Sequence, residues 1–346
     1  MRAVHFASPE QIEIRDIPIP EISDNEVLAK VAYAGFCGTD LDLLTGDMVH
    51  IKNGFTTYPI IPGHEWSGVV EMVGKNVKGF KLGDKVTSDV SLGCGMCDYC
   101  RRGAYNLCPN RLVVGSFRNK QGVFAEYIAI PSRHLYKVPD NVSLEQAALA
   151  EPAGTAVYAV RRAGIAIGDD VVVVGDGPIG QLAAQVALIN GAARVIMVGS
   201  WDQKLTIAQK NGVCAVVNYH REDMAEACKA HCSGVGPNVV IETSGNNKAL
   251  NASINMLKHG GKIVMVSWYN GAEIEVAVNQ AIAKDCDLIG VLASPNTFEA
   301  VFAYMAQGVI KTAPLITHIE PLENIAQTIK MIRAKKECRI KVLLKP

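Results

Sequence analysis

Residues 169–191 read DDVVVVGDGPIGQLAAQVALING. Four consecutive valines make a buried strand, the glycines Gly175, Gly177 and Gly180 make a G-x-G-x-x-G turn around Pro178 and Ile179, and a helical pattern follows. In that strand–turn–helix setting the glycines let backbone approach a pyrophosphate, and the helix N-terminus offers free N–H groups to it. Strand and helix patterns then alternate through ARVIMVGS, WDQKLTIAQKNG, AVVNY, NVVIETSG, KALNASINMLKHG and GKIVMVSW. Regular alternation of this kind predicts a parallel, doubly wound α/β sheet. Upstream the character differs. VLAKVAYAGF, SGVVEMVG, DKVTSDV and FAEYIAI are short β-type runs between Gly/Pro turns, which predict a largely antiparallel or barrel-like β domain. Downstream, TFEAVFAYMAQGVI and PLENIAQTIKMIRAKK read as amphipathic helices and CRIKVLLKP as a closing strand.

The 346 residues are too many for one ordinary core and suit two. Lys+Arg and Asp+Glu balance at 34 each, so no electrostatic footprint for nucleic acid or an anionic membrane is present. The first residues lack the apolar run of a signal peptide, and no apolar stretch reaches about 18 residues without a charge. The expected location is the cytoplasm. Ten cysteines are too few for a disulfide scaffold at this length.

Four of them, Cys94, Cys97, Cys100 and Cys108, cluster as C-x2-C-x2-C-x7-C inside the Gly-rich lobe 93–110. Closely spaced thiolates on loops predict a closed tetrahedral zinc site that supplies stability where packing is thin. An iron–sulfur cluster is the rival for the same donor set. The remaining cysteines are scattered and read as buried or idle thiols. A second constellation is looser: Cys37 ends a β-type run, His64 and Glu65 share a Gly-bounded turn, and Glu151 precedes a helix. Thiolate, imidazole and carboxylate suit a three-ligand zinc site with one open position. Spacing alone does not single it out, because a His-Glu pair more often satisfies a turn.

The motifs CGTD, GHEWSGVVEMVG, GDKV, the four-cysteine lobe, FAEYIAI, EPAGTAVYAV and VVVVGDGPIG occur in one order along nearly the whole chain. In this the chain resembles the zinc-dependent medium-chain alcohol dehydrogenases, most of all their sorbitol, polyol and threonine dehydrogenase branch. The resemblance implies a GroES-like domain from 1–152 and 290–346, interrupted by a Rossmann domain over 153–289. It implies Cys37, His64 and Glu151 as catalytic zinc ligands, with Glu65 a neighbouring carboxylate able to exchange with water on the metal. It further implies Asp40 as the acid that orients the ligating histidine and Thr39 as the hydroxyl that relays the substrate proton. Thr155 would lie against the nicotinamide, Leu292 and Ala293 would line its far side, and Lys341 would reach the pyrophosphate. Two zinc ions per chain, a small-molecule alcohol substrate and a homo-oligomer, tetramer or dimer, follow in the same way.

Two positions depart from the family pattern. A ribose-binding acid belongs about 20 residues past the glycines, at the end of the second strand. Gly199 stands there. With Ser200, Lys204 and Tyr219 nearby, the vacancy favours NADP over NAD; Trp201 could stack on adenine. Asp202 either caps the following helix or bends back to the 2′-hydroxyl. The second departure is Asp42, where the family often has a relay histidine. For the substrate, a glutamate ligand is typical of the polyol and secondary-alcohol branch. Phe55, Tyr58 and Phe117 are expected to line the pocket, with Arg118 and Lys120 either meeting an anionic substrate group or lying in a solvated loop. Polyol or sugar-alcohol oxidation is the leading expectation, with or without a phosphate on the substrate, and threonine or a vicinal diol follows. A zinc-stabilised binding protein without activity is the alternative of another class.

Overall fold

The computed structural model describes residues 1–269, 273–334 and 336–346; Lys335, at the end of the last predicted helix, lies outside the described residues. The chain divides into two compact units: Met1–Glu151 with Ala293–Ala306 and Ile316–Pro346, and Pro152–Leu292 with Gln307–Leu315.

The second unit is a six-stranded parallel sheet. Across it run Ala215–Asn218, Arg194–Gly199, Asp170–Val174, Val239–Glu242, Lys262–Met265 and Asp287–Gly290. The order reverses beside the first strand, as in the doubly wound dinucleotide-binding arrangement. All five residues of Asp170–Val174 are buried, because helices cover both faces of a parallel sheet and its strands carry continuous apolar runs. Gly177 caps the helix Pro178–Ile189, whose first residue is proline. Proline suits that position because its missing N–H has no partner there anyway.

The sixth strand was not expected. Asp287–Gly290 is mostly exposed and charged at its start, so it lacks the apolar run that marked the other five. The segment Gln307–Leu315 was expected with the other unit. It belongs here because the buried Gln185 clamps it: Lys311 N donates to Gln185 Oε1 at 2.7 Å and Gln185 Nε2 donates to Lys311 O at 3.3 Å.

The first unit is built on a mainly antiparallel sheet, GroES-like in kind. Its strands run Ile316–Pro321, Lys341–Lys345, Glu26–Gly35, Glu65–Val73, Lys85–Ser88 and Leu135–Lys137, with Tyr127–Pro131 also paired to Glu26–Gly35. Among the described residues, only Ile316–Pro321 and Lys341–Lys345 pair in parallel within this sheet. Phe6, Trp66, Phe124, Ile128 and Leu344 are among the side chains that fill its core.

Candidate active site

The long strands Glu26–Gly35 and Glu65–Val73 pair so that Gly35 faces Glu65. The chain then leaves the first strand through Cys37, which is extended (φ −110°, ψ 157°) and caps the helix Gly38–Thr45. His64 immediately precedes the second strand, so Glu65 is its first residue rather than part of the expected turn. One sulfur, one imidazole nitrogen and one carboxylate oxygen from Cys37, His64 and Glu65 lie within 4.8 Å of one another.

Asp40 fixes this geometry. It is fully buried; its Oδ2 accepts from Cys37 N at 2.9 Å and its Oδ1 from Gly63 N at 3.1 Å. One carboxylate thus ties the thiol-bearing loop to the imidazole-bearing loop. His64 Nδ1 lies 3.9 Å from Asp40 Oδ1, beyond hydrogen-bond reach, and is buried with no hydrogen-bond partner.

Glu65 is buried, and its carboxylate accepts from Lys341 Nζ at 2.8 and 2.6 Å; the same ammonium donates to Phe36 O at 3.0 Å. This corrects the expectation for Lys341: the side chain is 2% exposed and committed to Glu65, so it does not reach for a pyrophosphate. Gly35 makes room for the pair, since a Cβ there would stand 2.3 Å from Glu65 Oε2. Glu151, buried at the start of the helix Ala150–Ala163, is outside the 4.8 Å group but within its field. Burial pushes its carboxyl up to about 7 against the pull of His64. Burial lowers the affinity of His64 for a proton, yet Cys37, Asp40 and Glu151 together raise it to about 10. So many acids around one imidazole make a cation-attracting pocket. The soft and hard donors present are those zinc takes, and the orphaned His64 nitrogen fits a ligand role. Thr39 Oγ1 lies 3.7 Å from Cys37 Sγ.

The four-cysteine lobe meets the same test differently. Its four sulfurs lie within 4.8 Å of one another, and those of Cys94 and Cys100 are 3.9 Å apart. Sulfurs on ~2.3 Å bonds to a tetrahedral ion are about 3.8 Å apart. Backbone N–H groups of Met96 and Cys97 point at Cys94 Sγ (3.5 and 3.4 Å), and Cys94 N points at Cys108 Sγ (3.4 Å). Those amides bring the Cys94 thiol down to about 6, while burial drives Cys100 up to about 12. The lobe is anchored by Tyr105, whose hydroxyl donates to the buried Asp89 at 2.6 Å, by Arg133 to Gly93 O at 2.7 Å, and by Asn296 to Gly103 O at 2.8 Å.

The expected pocket aromatics gather around Phe117, with His50 at 4.5 Å and Phe55 at 5.4 Å between ring centroids. Tyr58 is engaged elsewhere, its hydroxyl donating to Leu43 O at 2.5 Å. Exposed Arg118 stacks over Phe117, whereas Lys120 is tied to Ala129 O at 2.9 Å.

In the other unit, Gly175, Gly177, Pro178, Ile179 and Gly180 form the turn between strand and helix as expected. Thr155 is buried on the helix Ala150–Ala163, and Leu292 follows the strand Asp287–Gly290. Ala293, next in the chain but in the first unit, has φ 56°. Tyr219 is 51% exposed and packs on His220. The space beside Gly199, expected to be open, holds the carboxylate of Asp176: a Cβ on Gly199 would stand 2.6 Å from Asp176 Oδ2. Ser200 N donates to that oxygen at 2.8 Å and Trp201 N at 3.1 Å, while Lys204 Nζ lies 3.6 Å from Oδ1. Asp202 does not cap the helix. Trp201 is the cap residue, and the Asp202 carboxylate accepts from Asn218 Nδ2 at 2.9 Å and Arg221 Nη2 at 2.6 Å. Asp176 and the Lys341–Glu65 pair are what sequence reasoning missed. The acid inside the glycine turn was the visible signal for the first; nothing local marked the second.

Residues 23–140 match the alcohol dehydrogenase GroES-like domain, and residues 178–307 match the zinc-binding dehydrogenase domain. The chain is 31% identical to sorbitol dehydrogenase of Bacillus subtilis, over 100% of this chain and 97% of that protein. It is 34% identical to L-threonine 3-dehydrogenase of Edwardsiella ictaluri, over 94% of each. A solved zinc-binding dehydrogenase from Sinorhizobium meliloti, bound to NADP, superposes with TM-score 0.90 at 28% identity over 100% of this chain and 99% of that one. The chain belongs to the zinc-dependent medium-chain alcohol dehydrogenase family, whose members are NAD(P)-dependent oxidoreductases.

Proposed function

We propose that this chain oxidises a secondary alcohol, a polyol or sugar alcohol with or without a phosphate, and reduces the corresponding ketone in reverse. The convergence of Cys37, His64 and Glu65 in a buried, acid-rich pocket carries this reading, and family membership supports it. Cys37, His64 and Glu151 are the proposed ligands of one zinc. Glu65 stands beside them, its charge already compensated by Lys341. Glu151, whose carboxyl pKa is raised by burial, has more to gain from a dication. Cys94, Cys97, Cys100 and Cys108 are the proposed ligands of a second, structural zinc, making two per chain.

When bound, zinc would supply Lewis acidity at the substrate oxygen, and the nicotinamide ring would accept the hydride. Thr39 takes the hydroxyl proton and passes it outward; the C–H electron pair leaves with its hydrogen, and the carbon becomes a ketone. Asp40 holds the Cys37 and His64 loops in place throughout. The cofactor is a nicotinamide dinucleotide on the turn 175–180, with Thr155, Leu292, Ala293 and Tyr219 as further contacts. The bound NADP of the Sinorhizobium meliloti relative supports NADP; Asp176, which already engages Ser200 and Lys204, weighs toward NAD. A homo-oligomer, tetramer or dimer, is part of the proposal; Val278, Ile282 and Leu288, apolar and exposed, offer contact surface. So is the cytoplasm, which keeps clustered thiols reduced. Among the described residues no helix is long and apolar enough to cross a membrane.

The test is a panel of polyols, sugar alcohols, their phosphates, L-threonine and a vicinal diol, with NAD and NADP, on protein of measured zinc content. Turnover of a polyol or its phosphate is expected. Fully zinc-loaded protein that turns over no polyol would overturn the substrate class, and one that turns over no alcohol would overturn the activity.

A further inference from the structure

A buried carboxylate in the glycine turn is unused by the scheme above. Asp176 follows Gly175 and is 8% exposed. It reaches from the end of the strand Asp170–Val174 to the end of its neighbour Arg194–Gly199, where the two strands pair in register at Val174 and Val198. There its Oδ2 accepts from Ser200 N and Trp201 N, with Ser200 Oγ at 3.4 Å. Its Oδ1 lies 3.6 Å from the Lys204 ammonium. A Cβ on Gly199 would collide with Asp176 Cβ at 2.6 Å. The glycine is therefore what admits the carboxylate, and the carboxylate fills the place where an acid on the second strand would otherwise lie. The other nearby acid, Asp202, is committed to Asn218 and Arg221.

An acid at this place in a dinucleotide fold accepts a hydrogen bond from the ribose 2′-hydroxyl. A carboxylate can only accept, and a 2′-phosphate also only accepts and carries nearly two negative charges. The two backbone N–H groups that could have received such a phosphate are already bonded to Asp176, and Lys204 balances the same carboxylate. We infer that Asp176 is the specificity-determining residue of the cofactor site: it receives the ribose 2′-hydroxyl from the glycine turn and excludes a 2′-phosphate, so that the chain takes NAD in preference to NADP. This rests on the dinucleotide reading of the second unit.

The test is calorimetric and independent of turnover. Dissociation constants for AMP, adenosine 2′,5′-bisphosphate, NAD and NADP are measured on the full zinc-loaded chain and on Asp176→Asn and Asp176→Ala. The wild-type chain is expected to bind NAD, and AMP, at least about tenfold tighter than the 2′-phosphorylated partner, a difference of ~1.4 kcal/mol. Asp176→Ala frees Ser200 N, Trp201 N and Lys204, and should move the ratio about 30-fold or more toward the phosphorylated ligands. Asp176→Asn keeps the acceptor for both amides, and so the fold of the turn, and should fall between. Equal or tighter binding of NADP by the wild-type chain would overturn the inference, as would an unchanged ratio in both variants. A wild-type chain that binds none of the four ligands would overturn the dinucleotide reading itself.

Discussion

The two ligand clusters of the first unit are made in opposite ways. The four cysteines sit within fifteen positions, on loops and a one-turn helix, and their sulfurs are placed by amides from the same short segment. Three of the four are only half-buried. The Cys37–His64–Glu65 cluster draws on two strands, a helix cap and a lysine 276 positions after its glutamate, and its carboxylates and ammonium are withdrawn from water. The first cluster is set by local chain geometry and needs little of the core. The second exists only because the sheet brings its parts together, and the sheet must in turn tolerate buried charge.

That contrast can be broken by removing ligands one cluster at a time. Cys37→Ser should lower kcat by about a thousandfold or more, the scale of losing several kcal/mol of charge stabilisation. Zinc content should fall from the proposed two per chain to one, with little change in unfolding temperature. Cys100→Ser should do the reverse, keeping the zinc proposed at Cys37 but losing the ion proposed for the lobe and several kcal/mol of stability. Metal analysis and thermal unfolding of the two variants separate the clusters; loss of both ions in either variant would show that they are not independent.

A next sharpening is Lys341→Met. It leaves Glu65 buried without its cation, and breaking such a pair costs about 3–5 kcal/mol. Denaturant unfolding should show that loss, and Lys341→Met with Glu65→Leu should recover most of it. A surface-like loss below ~1 kcal/mol would mean that water reaches the pair.

The smallest effect expected concerns pH. Burial lowers His134, beneath the lobe at 5.2 Å from the Tyr105 ring, from 6.5 to about 4, and His50, beside Phe117, likewise to about 4. A base whose folded-state pKa is depressed is protonated first in the unfolded chain. Its stabilisation is complete above pH 6.5 and is lost as pH falls toward 4, by about 1–3 kcal/mol at His134. Unfolding midpoints of wild type and His134→Gln, followed from pH 7 to 4, should converge as the wild type loses that advantage.

Much of this was legible beforehand. The valine run, the glycine turn and the alternating units announced the parallel sheet, and the cysteine spacing announced its cluster. The strands Asp287–Gly290 and Ile316–Pro321 were not, because neither shows a clean apolar period: their exposure patterns are mostly intermediate or exposed. Gly199 was read as an absence, when its role is to let Asp176 pass. Lys341 was placed by resemblance near a phosphate, whereas desolvation selects the nearest buried carboxylate, Glu65, as its partner.

Whatever depends on neighbours along the chain could be read from the residues alone: strand, turn and helix periodicity, and four thiolates close enough to share an ion. Which distant charges meet follows from packing: Asp40 with two loops, Lys341 with Glu65, Asp176 with the end of the next strand. The reason is that a buried charge must find a compensating group from whatever the fold places beside it, and that neighbour is a property of the packed sheet, which sequence spacing does not encode.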